Sequence, residues 1–247
     1  MSDFTVSIAG IPIGISSLSL NTQPYFSDYI CDDPPLFTLT TTEEDFERER
    51  IYLDKIYAVD GEEKENWGRS YLERMSLLRH IANRMIEYDV ILFHGAAVAV
   101  DGKCYLFTAP SGTGKTTHVR LWLEQLPQAY VLNGDKPFIK FSEDGNIEVC
   151  GGPWQGKEGM GRNETLPLEA ICVLERSPEN WIKQVTPNSV IDRLIRQVHV
   201  PDGSMASMKA LQLLDRISQK VRLYRLGCNM EPEAAEVSIG AMLHRND

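Results

Sequence analysis

Over the first sixty residues, apolar and polar positions alternate in short runs. "FTVSIAGIPIGIS" and "LFTLTTTEEDFERERIYL" carry this period of two, with Pro34 and Pro35 interrupting between them. The pattern predicts antiparallel strands joined by hairpins. Beyond "DGEEKENWG" the period lengthens: Leu78, Ile81, Ala82 and Met85 recur at i, i+3, i+4 and i+7, so residues 69–88 are expected to form one amphipathic helix. From "VILFHGAAVAV" onward the apolar runs "CYLFTA", "AYVLN" and "AICVLE" alternate with helix-like stretches. That alternation predicts an α/β or mixed α+β core. The expected organisation is a β-rich accessory segment over 1–68 and a core over 69–247, with no internal repeat and no low-complexity stretch.

Composition narrows the classes. At 247 residues, with 43% hydrophobic and 24% charged content, the chain has ordinary globular composition, which argues against disorder. A formal net charge of -10 argues against broad electrostatic adhesion to nucleic acid or anionic lipid. Cys31, Cys104, Cys150, Cys172 and Cys228 are scattered without C-x-x-C or Cys/His pairing, and are expected to be reduced thiols rather than zinc ligands. "MSDFTVSIAG" has neither a basic nor a long apolar leader region, and no run approaches the ~18 apolar residues of a membrane span. A cytoplasmic protein without nucleic-acid or membrane partners is expected; a homo-oligomer is compatible with the chain.

The densest chemical signal is "FTAPSGTGKTTHVR", residues 107–120. "KCYLFTA" before it reads as a strand. "TTHVRLWLEQL" after it reads as a helix with Val119, Trp122, Leu123 and Leu126 on one face. A strand, a glycine bend and a helix N-terminus are the parts of a phosphate cradle: glycines let backbone amides turn inward, the helix end adds partial positive charge, and a lysine reaches terminal phosphates. Ser111, Gly112, Thr113, Gly114, Lys115, Thr116 and Thr117 are the candidate nucleotide-binding residues, with the Thr116 hydroxyl placed to ligate Mg²⁺. The pattern G-x-x-x-x-G-K-[ST] departs at one point, where Ala109 replaces the first glycine. A merely structural turn is the alternative.

Phosphoryl transfer also needs a carboxylate near the metal. In "AYVLNGDKPFIKF", Asp135 follows an apolar run and is expected at the exit of a strand beside the phosphate-loop strand, as metal ligand and proton acceptor. An Asn-Gly-Asp surface turn is the bland reading. "GGPWQGKEGMGRNETLPL" follows, with five glycines in 151–161. It reads either as a loop that brings Lys157, Arg162 and Asn163 to transferred phosphate or an acidic acceptor, Lys157 foremost, or as a surface loop whose glycines serve turns. "SVIDRLIRQVHVP" places Ile191, Leu194, Ile195 and Val198 on one helical face and leaves Arg193 and Arg196 on a solvated one. Trp154 is either a stacking surface or a buried aromatic.

"HGAAVAVDGKCYLFTAPSGTGKTTHVRLWL" with "LNGDKPFI" resembles the kinase core shared by the HPr serine kinase/phosphorylase family and the PEP carboxykinases, and more closely resembles short HPr-kinase-like proteins of bacteria. The resemblance covers about residues 90–175 and implies a PEP carboxykinase-like P-loop core. It also implies an active-site place for His94, which on residue chemistry alone reads as a structural histidine. HPr kinases carry two adjacent acids where this chain has Gly134 and Asp135, and their carboxy-terminal signature is not recognisable here, so HPr is disfavoured as the substrate. The implied function is an ATP- and Mg²⁺-dependent kinase acting on a hydroxyl of a peptide, protein or small molecule, serine among the candidates, with Asp135, His94 and Lys157 catalytic and GTP or pyrophosphate left open as donors. The alternative is a nucleotide-binding regulator without turnover.

Overall fold

The N-terminal hairpin forms as the alternation predicts. In this computed structural model, which describes residues 2–60 and 67–243, β1 (Ser2–Ile8) and β2 (Ile11–Ser17) pair antiparallel, Ile8 opposite Ile11 and Val6 opposite Ile13. Ala9 and Gly10 turn the chain with φ of 54° and 79°, the left-handed pair that a two-residue hairpin requires. Val6, Ile8, Ile13 and Ile15 are buried. After the single turn α1 (Thr22–Tyr25), β3 (Phe37–Thr40) joins β2 in parallel, Ile13 opposite Phe37. The antiparallel expectation fails here because the connection from residue 18 to 36 is a crossover that returns the chain to the starting end of the sheet.

A second correction concerns "TEEDFERERIYL", which is helical. α2 spans Glu43–Asp60. Thr42 and Asp45 form a reciprocal cap: Asp45 N–H donates to Thr42 Oγ1 (3.3 Å) and Thr42 N–H to Asp45 Oδ2 (2.8 Å). Glu43, Glu44 and Asp45 suit the positive end of the helix, and Phe46, Glu49 and Leu53 are buried along one face. Arg79 of α3 (Arg69–Met85) grips Glu49 at 2.6 and 3.0 Å, which makes that burial tolerable. On α3 the expected stripe of Leu78, Ile81, Ala82 and Met85 is buried. The same helix buries Glu73, which accepts from Leu18 N–H (2.7 Å), Thr41 Oγ1 (2.5 Å) and Thr22 Oγ1. One carboxylate thereby gathers the ends of β2, β3 and α1.

Met1–Arg84 and Met85–Asp247 are two compact units. The sequence reading places its boundary at 68/69, ahead of α3, and most of the "DGEEKENWG" segment it relies on lies outside the described residues.

The second unit is mixed α+β. Its strands are β4 (Val90–Leu92), β5 (Ala96–Val100), β6 (Lys103–Thr108), β7 (Tyr130–Asn133), β8 (Phe138–Phe141), β9 (Ile147–Cys150), β10 (Thr165–Arg176), β11 (Trp181–Val185) and β12 (Arg222–Cys228), and its helices are α4 (Lys115–Gln125), α5 (Ile191–Ile195), α6 (Ser204–Lys220) and α7 (Glu233–Leu243). The long β10 serves two neighbourhoods. Thr165–Pro167 pairs antiparallel with β9, which continues to β8 and β4, while the remainder runs parallel between β6 and β12. A register shift between Leu168 and Ala170 marks the change. β5 and β7 extend the sheet beyond β6, and β11 closes the other side against β12.

Alternate residues fill opposite faces. Ala97, Leu106, Ile171 and Leu223 meet Leu213, Leu214 and Ile217 of α6, whereas Val98, Phe107, Cys172 and Leu226 meet Val119 and Trp122 of α4 and Ala234, Ala235 and Met242 of α7. Because β6, β10 and β12 are parallel, their carboxyl ends share one edge, where open α/β sheets bind ligands. The α5 stretch is shorter than its periodicity suggests: Leu194 and Val198 are buried but Ile195 is 37% exposed. The chain leaves the helix there because Val198 bridges to Phe93 and His199 N–H donates to the Leu92 carbonyl (3.0 Å). Among the described residues no helix is long and apolar enough to cross a membrane.

Candidate functional site

β6 ends at the buried Thr108, and the chain enters the bend of residues 109–114. Ala109 is buried and lies outside the positive-φ residues, so this position does not need a glycine and a methyl group fits. Gly112 and Gly114 have φ of 72° and 123°, with open space where a Cβ would stand. Backbone conformation, not crowding, selects glycine at these two positions. α4 starts at Lys115, and the amides of its first turn, Lys115, Thr116 and Thr117, have no carbonyl one turn back within the helix to accept them. Lys115 folds over the bend, its Nζ donating to the carbonyls of Ala109 (2.9 Å) and Pro110 (3.4 Å). Thr113 N–H also donates to the Pro110 carbonyl (3.3 Å). Two carbonyls thus receive donors of the kind that phosphate oxygens accept. Burial lowers the Lys115 pKa, and the charge of Asp135 opposes that shift. Ser111 is exposed; Thr113, Thr116 and Thr117 are half-buried.

Asp135 follows β7, but β5 lies between β7 and β6, so the expectation of an adjacent strand is corrected. The antiparallel pairings still bring it to the same edge: Ala97 at the start of β5 faces Asn133, and Ala96 faces Phe107 near the end of β6. His94 ties these elements together. Its carbonyl accepts from Thr108 Oγ1 (2.8 Å), its N–H donates to the Gln197 carbonyl (2.7 Å), its Nδ1 lies 3.0 Å from Gln197 Oε1, and its Nε2 lies 3.4 Å from Asp135 Oδ1. Lys136 Nζ donates to Asp135 Oδ2 at 2.5 Å. Burial alone would raise the Asp135 pKa, but the His94 contact and the Lys136 charge outweigh it and hold the carboxyl well below its usual range.

The Asn-Gly-Asp turn is the device that aims Asp135. Buried Asn133 accepts through Oδ1 from the N–H groups of Asp135 (3.0 Å) and Lys136 (2.8 Å), and donates through Nδ2 to the Gly152 carbonyl (2.9 Å). At Gly134 an added Cβ would stand 2.7 Å from the Gln155 carbonyl and 3.3 Å from that of Met160. A side chain at this position therefore requires the backbone of the glycine-rich stretch to move.

The glycine-rich stretch is packed onto this turn. Gly134 N–H donates to the Met160 carbonyl (3.0 Å), Arg162 N–H to that of Leu132 (3.0 Å) and Gly151 N–H to that of Glu164 (2.9 Å). A Cβ at Gly151 would fall 1.8 Å from the Arg162 carbonyl, so close backbone approach explains this glycine. Lys157 is exposed, and among the described residues it makes no hydrogen bond or ion pair with the other site residues. Its neighbour Glu158 pairs with Arg120 of α4 (2.7 Å), and Arg162 lies over the Tyr130 ring at 3.8 Å. Trp154 is a buried aromatic, edge-on to Phe138.

Sequence reasoning passed over four participants. Lys136 and Gln197 flank Asp135 and His94 as described. Glu175 and Arg176 end β10, the strand parallel to β6, where Val173 faces Thr108. Arg176 Nη2 donates to the Gly112 carbonyl at 2.6 Å. Glu175 accepts from Arg193 (2.5 Å) and Arg225 (2.8 Å); Arg193 and Arg196 are both exposed, as a solvated face expects, and Arg193 adds an ion pair there. The available signal was "CVLER", a charged pair at the exit of an apolar run.

No protein-family model and no curated protein sequence matches the chain. Among solved structures it is similar to the HPr(Ser) kinase/phosphatase from Coxiella burnetii, with a TM-score of 0.36 and 9% identity over 62% of this chain and 90% of that one. A likeness of this size does not show family membership.

Proposed function

We propose that this protein binds ATP with Mg²⁺ and transfers the terminal phosphate to a hydroxyl, serine among the candidates, of a peptide, protein or small molecule. One observation carries the reading: the Lys115 bend and the Asp135–His94–Lys136 cluster converge on one sheet edge, linked by the Thr108 bond to His94. Lys115 exchanges the Ala109 and Pro110 carbonyls for phosphate oxygens, and the amides of the first turn of α4 grip the same group. The acceptor oxygen bonds to the terminal phosphorus as the bond to the bridging oxygen breaks, the nucleoside diphosphate leaves with that electron pair, and the acceptor proton passes to the Asp135 carboxylate. Such a carboxylate is a weak base, which suffices where the transition state is loose and positioning dominates. His94, itself held by Gln197, fixes the carboxylate's direction, and exposed Lys157 is free to meet an acidic acceptor.

Among the described residues no group of three or more His, Cys, Asp or Glu is arranged to hold a metal. The Thr116 hydroxyl and Asp135 carboxylate are nevertheless hard oxygen donors that suit Mg²⁺, whose remaining ligands would be phosphate oxygens and water. Bound there, the ion would offset charge on the phosphates.

A nucleotide-binding regulator without turnover is the second reading, favoured by the fact that both Asp135 oxygens are already engaged. Calorimetry tests the shared premise: Lys115→Ala removes a charge-assisted contact and should weaken Mg·ATP binding by about 1.5–3 kcal/mol. Equal affinities would remove both readings. Mass spectrometry of ATP with a pool of peptides and metabolites then separates them, since only a kinase yields a phosphorylated acceptor.

A further inference from the structure

Arg176 stands outside the bend, yet it is tied to it. β10 runs parallel to β6 with Val173 opposite Thr108, so the residues beyond Val173 pass alongside the loop rather than the strand. Arg176 Nη2 meets the Gly112 carbonyl there at 2.6 Å. The nearest carboxylate in sequence is not available to divert it: Glu175 already accepts from Arg193 at 2.5 Å and from Arg225 at 2.8 and 2.9 Å. Two guanidinium groups thus occupy the Glu175 carboxylate, and Arg176 is left to the Gly112 carbonyl.

The consequence follows from the planarity of the peptide unit. In a trans peptide, C=O and N–H point in opposite directions, so drawing the Gly112 carbonyl toward Arg176 turns the Thr113 N–H away from Arg176. That N–H donates to the Pro110 carbonyl, which also lies within reach of Lys115 Nζ. The inward face of the bend therefore carries the Thr113 amide and the Lys115 ammonium against one acceptor. Gly112 sustains this orientation with a φ of 72°.

We infer that Arg176 is a positioning residue of the phosphate cradle: it holds the Gly112–Thr113 peptide with its amide inward and so sets nucleotide affinity without touching the nucleotide. The inference rests on the phosphate-binding reading above. Its reach is to the triphosphate portion of the ligand, so ATP and inorganic pyrophosphate should depend on it equally.

The test uses the full chain. Arg176→Ala should weaken Mg·ATP and Mg·pyrophosphate by the same factor, about ten-fold as expected for one charge-assisted hydrogen bond, and shift the Gly112 and Thr113 amide resonances of the ligand-free protein. Arg176→Lys, which keeps a donor, should recover most of the affinity and return those resonances toward their wild-type positions; a general loss of stability would not respond in that way. Wild-type affinity in Arg176→Ala, or unmoved loop amides, would overturn the inference alone. A loss for ATP much larger than that for pyrophosphate would also overturn it. If wild type binds neither ligand, the phosphate-binding reading falls and the inference falls with it.

Discussion

His118 gives the candidate phosphate helix a measurable pH signature. It is buried on α4, its Nε2 lies 3.0 Å from Ser238 Oγ, and its ring packs edge-on against Phe107. Ser238 Oγ donates to the Ala235 carbonyl (3.0 Å) and accepts from Trp122 Nε1 (2.7 Å), so the histidine proton belongs on Nε2, and Nδ1 is buried without a partner. Burial pushes the pKa down to about 4 from 6.5. For a base whose folded pKa is depressed, the unfolded chain binds more protons between the two values, so stability falls as pH drops through that window. At 1.36 kcal/mol for each pKa unit, the loss is about 3 kcal/mol by pH 4, of which about 2 kcal/mol appears between pH 7 and 5. Asp135 acts in the same direction, but its contribution is lost only at lower pH, below the unfolded carboxylate range. The assay is denaturant unfolding followed by tryptophan fluorescence at half-unit pH intervals from 7 to 4.5, for wild type and His118→Gln. The variant keeps a donor for Ser238 but cannot titrate, so its profile should be flatter by that amount. Parallel profiles would refute the assignment of a buried neutral histidine.

Two further predictions concern the Asp135 turn. Gly134→Ala should destabilise the protein by about 1–3 kcal/mol, the range for overpacking, because the atoms a Cβ meets at 2.7 and 3.3 Å are backbone carbonyls that can move only with the loop; a variant within 0.5 kcal/mol of wild type by denaturant unfolding would show that the loop gives way. Asp135→Asn removes the negative charge and the proton acceptor while leaving the Lys115 contacts in place, so single-turnover transfer to an identified acceptor should fall by about 10²–10⁴-fold with only a modest loss of ATP affinity. Transfer at the wild-type rate would move the base elsewhere, with His94 next in line.

Local physics made some features legible without coordinates. The first hairpin was readable because strict alternation and an Ala-Gly turn fix register locally. The α3 stripe and the strand, bend and helix around Lys115 were readable because sequence neighbours supply their geometry. α2 was misread although its signal was present: Thr42 and Asp45 form a cap, and buried Phe46, Glu49 and Leu53 follow helical spacing, but a charged residue on the buried face hides the period when only apolar positions are counted. Glu49 is buried because Arg79, thirty positions away, neutralises it.

Sequence alone therefore determined the elements whose causes lie within a few residues: the left-handed glycines 112 and 114, the helix that begins at Lys115, and a turn at Asn133-Gly134-Asp135. Only the tertiary structure decided which strands separate β7 from β6, and hence that Asp135 reaches the loop's edge by way of His94 and β5 rather than from an adjacent strand. It also decided that a Cβ at Gly134 would crowd the Gln155 and Met160 carbonyls and that Arg176 belongs to the bend. The physical reason is the range of the forces involved: backbone conformation is set by neighbours in the chain, whereas steric exclusion and ion pairing act between atoms that only folding brings within a few ångströms of each other.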